Sequence, residues 1–222
     1  MPGKLSEFRA VLRECRRTYK TTGTVAPSGR LLSRALCRYV PAGENGQSAS
    51  PRRILEVGPG TGPVTRWIVE AMGAGDLLDI VELNDTFVEV LSRRFEQEPA
   101  FQAVKSRCRI LHHPVQELDG ADPYDVIISG LPLNNFEVHE VDGILELFSR
   151  LAAPQATVSF FEYIGIRKVK ASISGRRQRT RVRGVAKSVE RFLQNEIHRD
   201  RVLGNVPPAW VHHVQPHGSH AE

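Results

Sequence analysis

Cysteine is scarce in this chain. Cys15, Cys37 and Cys108 are three in 222 residues, an odd number without the paired spacing of a metal site. That pattern excludes a disulfide framework and predicts reduced thiols in a cytosolic setting. Long apolar runs are also missing: no segment reaches the roughly 18 apolar residues that a spanning helix requires. Met1 to Lys20 carries charges throughout instead of the apolar block of a secretory signal. The expectation is a cytoplasmic protein whose contact with membrane is peripheral, at the inner face of the cell membrane. The histidines at 112, 113, 212, 213, 217 and 220 lack ligand spacing backed by cysteine or acid, so no metal site is expected.

What remains fits one domain. A hydrophobic content of 41% supports a core, and a formal charge of +5 favours an anionic partner. Residues 41–53, rich in Gly, Pro and Ser, read as a linker between an N-terminal helical stretch and the first strand. Beyond it strand-type and helix-type blocks alternate. The strands are Ile54 to Val57, Leu77 to Glu82, Cys108 to His112, Tyr124 to Ser129, Ala156 to Tyr163 and Trp210 to Gln215. Helices are predicted from about Thr61 to Met72, Asp85 to Gln97, Val138 to Ala152 and Val185 to Ile197. Such alternation implies a largely parallel sheet covered on both faces, with ligands beyond the carboxyl ends of the strands.

The loop after the first strand is Glu56-Val57-Gly58-Pro59-Gly60-Thr61-Gly62. Its glycines permit a tight turn and close backbone approach at a helix start. A nicotinamide-type G-x-G-x-x-G is not matched, because Pro63 stands where the last glycine belongs, and no Gly-Lys-Ser/Thr follows for a phosphate-binding loop. Glu82, twenty residues after Gly62, ends the second strand, where an acid can accept both hydroxyls of a ribose. Either feature alone is equally an ordinary turn or a strand-end acid; the pair in this order points to a nucleoside.

The stretch Ile54 to Phe95 resembles motifs I and II of class I S-adenosylmethionine-dependent methyltransferases. The resemblance implies a Rossmann-like α/β fold: a mostly parallel seven-stranded sheet with helices on both faces, plus N-terminal amphipathic helices. It implies a methyltransferase domain over 50–216 behind an N-terminal helical extension, 1–40, that caps substrate or membrane. S-adenosylmethionine would lie on Gly58, Gly60, Thr61 and Gly62, with Glu82 on its ribose and Glu56 reaching its amino-acid end indirectly. Pro114, Val115 and Ser129 would complete the pocket. The segment His112 to Gln116 has no acid for the adenine amine, so that contact would come from backbone.

The loop after the fourth strand, Ser129-Gly130-Leu131-Pro132-Leu133-Asn134-Asn135-Phe136, would sit over the reacting methyl group. Leu131, Pro132 and Asn134 would shape the acceptor site, joined by Tyr19 from the N-terminal helix. Ribosomal RNA adenine dimethyltransferases carry Asn-Leu-Pro-aromatic in this loop; here Gly130 replaces the Asn and Leu133 the aromatic. The closer resemblance is to bacterial phosphatidylethanolamine N-methyltransferases. It rests on Thr22 to Arg30, the glycine loop, Ser129 to Phe136, and Asn205-Val206-Pro207-Pro208-Ala209-Trp210-Val211. It implies stepwise N-methylation of a phospholipid headgroup amine.

Two basic segments suit a membrane partner. Leu5, Phe8, Leu12, Cys15 and Tyr19 form an apolar stripe, and Lys4, Arg9, Arg13, Arg16, Arg17 and Lys20 fill much of the remaining surface. Such a helix either lies in an anionic headgroup layer or packs on the sheet with a solvated basic side. The tract Arg167 to Lys187 contains no acid and falls between the fifth strand and the next helix. It can meet lipid phosphates or RNA phosphates, or stay a solvated loop. Tyr163 and Glu162, at the end of the fifth strand, are candidates for lining the acceptor pocket. An RNA adenine N6-methyltransferase and a non-catalytic membrane- or RNA-binding module are the alternatives.

Overall fold

The computed structural model describes residues 29–41, 50–118, 122–164 and 176–217, with side chains from 180 onward in the last range. In chain order, numbered over these residues, the elements are α1 (Arg30–Leu36), β1 (Arg53–Val57), α2 (Pro63–Ala71), β2 (Leu77–Val81), α3 (Asp85–Gln97), α4 (Pro99–Gln102), β3 (Cys108–Leu111), β4 (Tyr124–Ser129), α5 (Val138–Leu151), β5 (Ala152–Tyr163), α6 (Arg176–Phe192), β6 (Glu196–Val202) and β7 (Ala209–Val214). Among the described residues no helix is long and apolar enough to cross a membrane.

The seven strands form one sheet in the order β3-β2-β1-β4-β5-β7-β6. β1 to β5 pair in parallel, and β7 runs antiparallel to β5 and β6. The order therefore reverses between β1 and β4, which places the ligand crevice beyond their carboxyl ends. β1, β2 and β4 are buried over nearly their whole length because helices cover both faces, so apolar residues point both ways. On one face Leu55, Val57, Ile127 and Phe160 pack under α5 and α6 through Ile144, Phe148, Val185 and Val189. On the other, Ile54, Ile80, Val126 and Val211 pack under α1 to α3 through Leu32, Leu36, Ile68 and Leu91.

Helix starts have local causes. Pro63 occupies the first turn of α2, where a missing N–H is tolerated. The Asn84 side chain accepts the Phe87 amide at 3.1 Å and caps α3. Glu137 and Glu140 form a reciprocal capping box on α5.

Several expected boundaries need correction. The helix after the glycine loop begins at Pro63, not Thr61, because Gly62 is left-handed with φ 81°. β5 begins at Ala152, four residues before Ala156. The last helix covers 176–192 and does not extend to Ile197; Leu193–Asn195 turns, and Glu196–Val202 is a strand on the edge of the sheet. Its sequence, EIHRDRV, carries too few apolar residues to announce a strand. Ile197, Arg199 and Arg201 point to solvent, and charge on an edge strand discourages pairing with other chains. Within the Arg167 to Lys187 tract, residues from Arg176 onward belong to α6 and not to a loop.

Candidate active site

The crevice is built from two loops at the switch in strand order. In the first, Gly58, Gly60 and Gly62 all have positive φ, at 71°, 60° and 81°. This left-handed region is readily open only to glycine. The Gly58 amide donates to the Val81 carbonyl at 3.1 Å, which ties the loop to the end of β2. The Gly62 amide donates to Pro59 at 3.0 Å and closes the turn into α2.

Glu82 sits just past β2 and is buried. One carboxylate oxygen accepts the amides of Leu83 and Asn84 at 2.7 and 2.8 Å, and the other accepts the Gly60 amide at 3.3 Å. The acid expected to meet a ribose is thus also the brace between the two strand ends. Arg94 of α3 supports the loop from outside. It donates to the carbonyls of Thr61 and Gly62 at 2.9 and 2.7 Å, and grips Glu98 with two bonds at 2.6 and 3.0 Å.

Glu56, inside β1, is almost fully buried, and neither carboxyl oxygen has a hydrogen-bond partner among the described residues. Burial pushes its carboxyl up to about 8. The neighbouring Thr65 hydroxyl and Arg94 pull it back, and the Glu82 charge adds to the rise. Thr65 lies close without reaching hydrogen-bonding geometry, so its own hydroxyl is also unmatched among the described residues. An unmatched carboxyl beneath a loop of left-handed glycines suits the cationic amino-acid end of S-adenosylmethionine, and the residues present therefore fit that cofactor.

The second loop follows β4. The Gly130 amide donates to the Val57 carbonyl at 2.8 Å, and the Leu131 amide to the Ser129 hydroxyl at 3.3 Å. The two loops touch: a Cβ on Gly58 would lie 2.7 Å from Leu131 Cδ2, and a Cβ on Gly130 would lie 2.4 Å from the Gly58 carbonyl oxygen. Position 130 has no room for a side chain. Pro132 accepts the Asn135 amide at 2.9 Å, and Arg181 of α6 donates to the Phe136 carbonyl at 2.8 Å. Leu131, Leu133 and Phe136 are buried, so the loop is held from within.

The structure brings Glu56, Gly58, Gly60, Thr61, Gly62, Glu82, Ser129, Leu131 and Pro132 around the carboxyl ends of β1, β2 and β4. Asn134 lies in the short turn Leu133–Asn135. Pro114 and Val115 follow β3 and are buried, Val115 as part of the core. Tyr19, the Lys4 to Lys20 stripe and residues 167–175 of the basic tract lie outside the described residues. Arg181 is largely enclosed against the loop after β4, whereas Arg183 and Lys187 are exposed. Glu162 is a buried partner of His212 at 3.6 Å, and half-buried Tyr163 packs edge-on against Phe161. Sequence reasoning missed Arg94; its one signal is the Arg-x-x-x-Glu spacing to Glu98. It also missed that Gly130 is sterically required, since the close approach comes from a residue 72 positions away.

Known proteins resemble this chain in sequence and in fold. A family profile described as "Methyltransferase domain" matches residues 54–155. The chain is 29% identical over 134 residues to the ornithine lipid N-methyltransferase of Singulisphaera acidiphila. That alignment covers 60% of this chain and 66% of the relative, so the chain spans just under two thirds of the relative's length. Among solved structures, the O-methyltransferase from Bacillus cereus in complex with SAH is similar at TM-score 0.61 and 14% identity, covering 93% of this chain and 90% of that one. TomG from Streptomyces achromogenes, an O-methyltransferase in complex with SAM, is similar at TM-score 0.61 and 16% identity, covering 92% and 89%. Both likenesses are of fold.

Proposed function

We propose that residues 54–155, which match a profile described as a methyltransferase domain, use S-adenosylmethionine, and that the chain N-methylates the headgroup amine of a membrane lipid. Phosphatidylethanolamine and its methylated intermediates are the proposed acceptors, at the inner face of the cell membrane. The observation that carries this reading is the direct contact of Gly58 with Gly130 and Leu131. It fixes the loop that would hold the acceptor against the loop that would hold the cofactor.

When bound, the cofactor supplies an electrophilic methyl group on a sulfonium. The chain's own residues then have three tasks. Gly58, Gly60, Gly62 and Glu82 hold the cofactor end of the crevice. Leu131 and Pro132 form a stiff wall that aligns the acceptor for in-line attack and excludes water. An amine attacks only as the neutral base, and an apolar wall favours that form by desolvation.

The lipid is supported by the likeness to a lipid N-methyltransferase. Against RNA adenine stands position 130, where the resembling RNA enzymes carry Asn and this backbone admits no side chain. Tyr19 as an acceptor-site residue and the Lys4 to Lys20 segment as a contact with the anionic membrane surface belong to the proposal.

Radiolabelled methyl transfer tests it, with phosphatidylethanolamine vesicles, ornithine lipid vesicles and ribosomal RNA as parallel acceptors. Label in phosphatidylethanolamine is expected. Label in ornithine lipid alone would replace the headgroup, and label in RNA alone would end the lipid reading.

A further inference from the structure

The most exposed large apolar side chains among the described residues include Leu31, Leu203 and Val206, at 55%, 57% and 76%. Far apart in sequence, they gather at one corner. Leu31 follows the first residue of α1; Leu203 and Val206 lie in the turn between β6 and β7. A Cβ on Gly204 would lie 2.6 Å from Leu31 Cδ1, so helix and turn are in contact. The Asn205 side chain accepts the Gly29 amide at 3.0 Å and donates to the Pro207 carbonyl at 2.7 Å. Leu31 and Leu203 face one groove together with Arg34, Arg38 and Arg201.

Two features give this corner a direction and a charge. Ala209, the first residue of β7, pairs with Tyr163, the last of β5, and the Ile164 amide donates to Pro208 at 2.7 Å. The turn therefore projects from the carboxyl edge of the sheet, the same edge that carries both crevice loops. No acid occurs in 29–41 or 201–210, whereas Arg30, Arg34, Arg38 and Arg201 do. The nearest carboxylate, Asp200, is engaged by Arg38 and by His213 at 3.2 Å.

We propose that Leu31, Leu203 and Val206 insert into an anionic lipid bilayer, with Arg30, Arg34 and Arg201 on its headgroups, so that the crevice opens toward the membrane. Apolar tips rimmed by arginine suit the interface between acyl chains and anionic headgroups. Charge disfavours the other occupants. A second copy would oppose arginines to arginines. Residues 1–28 carry six basic residues (Lys4, Arg9, Arg13, Arg16, Arg17, Lys20) against two acids (Glu7, Glu14).

The inference deepens the lipid-amine reading and rests on it for its purpose, but the two fail separately. The full chain is mixed with vesicles of phosphatidylcholine and phosphatidylglycerol. Leu203→Asp with Val206→Asp is expected to weaken vesicle binding by more than about tenfold. Cofactor binding and methylation of a monomeric short-chain phosphatidylethanolamine are expected to hold. Leu203→Trp keeps the apolar tip, and its indole fluorescence should be quenched by brominated acyl chains beyond the background of the two native tryptophans. Unchanged vesicle binding by the double Asp variant, absence of added quenching, or a change of oligomeric state in place of vesicle binding would each overturn the docking surface. If the wild-type chain methylates no lipid amine, monomeric or in vesicles, the proposed function falls while the quenching result still judges the docking surface.

Discussion

Gly130 and Glu56 bear on the crevice in different ways, one by its lack of a side chain and the other by its buried carboxyl. Adding one methyl group at Gly130 would drive it into the Gly58 carbonyl, 2.4 Å away, and backbone must yield. Gly130→Ala is expected to separate the two loops and lower kcat on the order of a hundredfold, read by methyl transfer at saturating cofactor. Glu56 acts through charge. Its carboxyl is raised from the ordinary range to about 8 by burial. An acid raised on folding favours the folded state when protonated. Its stabilisation is complete below about 4.5, the unfolded value, and is lost as pH rises through about 8. Glu56→Gln should therefore melt at higher temperature than wild type near pH 8 and lose that advantage toward pH 5. His213, lowered to about 4 by burial, titrates on the acid side in both proteins and cancels in the difference.

At the scale of elements, α3 serves as a clamp. Arg94 reaches from its third turn to hold the Thr61 and Gly62 carbonyls where α2 begins. Hydrogen bonds from a charged donor contribute about 1.5–3 kcal/mol each, less where water reaches them. Arg94→Ala should cost about 1–3 kcal/mol in a denaturant melt and weaken cofactor binding in calorimetric titration, whereas Arg94→Lys should restore only part of either. How legible the elements were depended on their burial. β1, β2 and β4 are covered on both faces, and their runs of Ile, Val and Leu announced them. β6 lies at the edge, draws its pairing from β7, and has a charged sequence that no apolar pattern marks. The tight glycine turn was readable because its left-handed backbone is a local demand; the Arg94 clamp and the Gly130 contact depend on residues brought near only by folding.

For the whole molecule, the question is how it meets a charged surface. The chain's formal charge is +5, and arginines at positions 30, 34 and 201 are exposed at the carboxyl edge. Lengthening the Debye distance from about 8 Å in physiological salt to about 30 Å in dilute buffer should strengthen binding to phosphatidylglycerol vesicles several-fold. Vesicles of phosphatidylcholine alone should show little change. Equal binding to both, at either salt, would remove the electrostatic part of the picture.

The bond between Gly29 and Asn205 also bears on how the molecule can be handled. Residue 29 is anchored at the carboxyl edge of the sheet, while β7 descends to Val214 and His217 reaches the Ser149 carbonyl at the far end of α5. The head and tail of the described fold thus leave by opposite poles. A reporter fused behind residue 217 would trail away from the entrance, so the molecule can be moored to a chip or bead by its tail with its mouth turned outward to passing substrate.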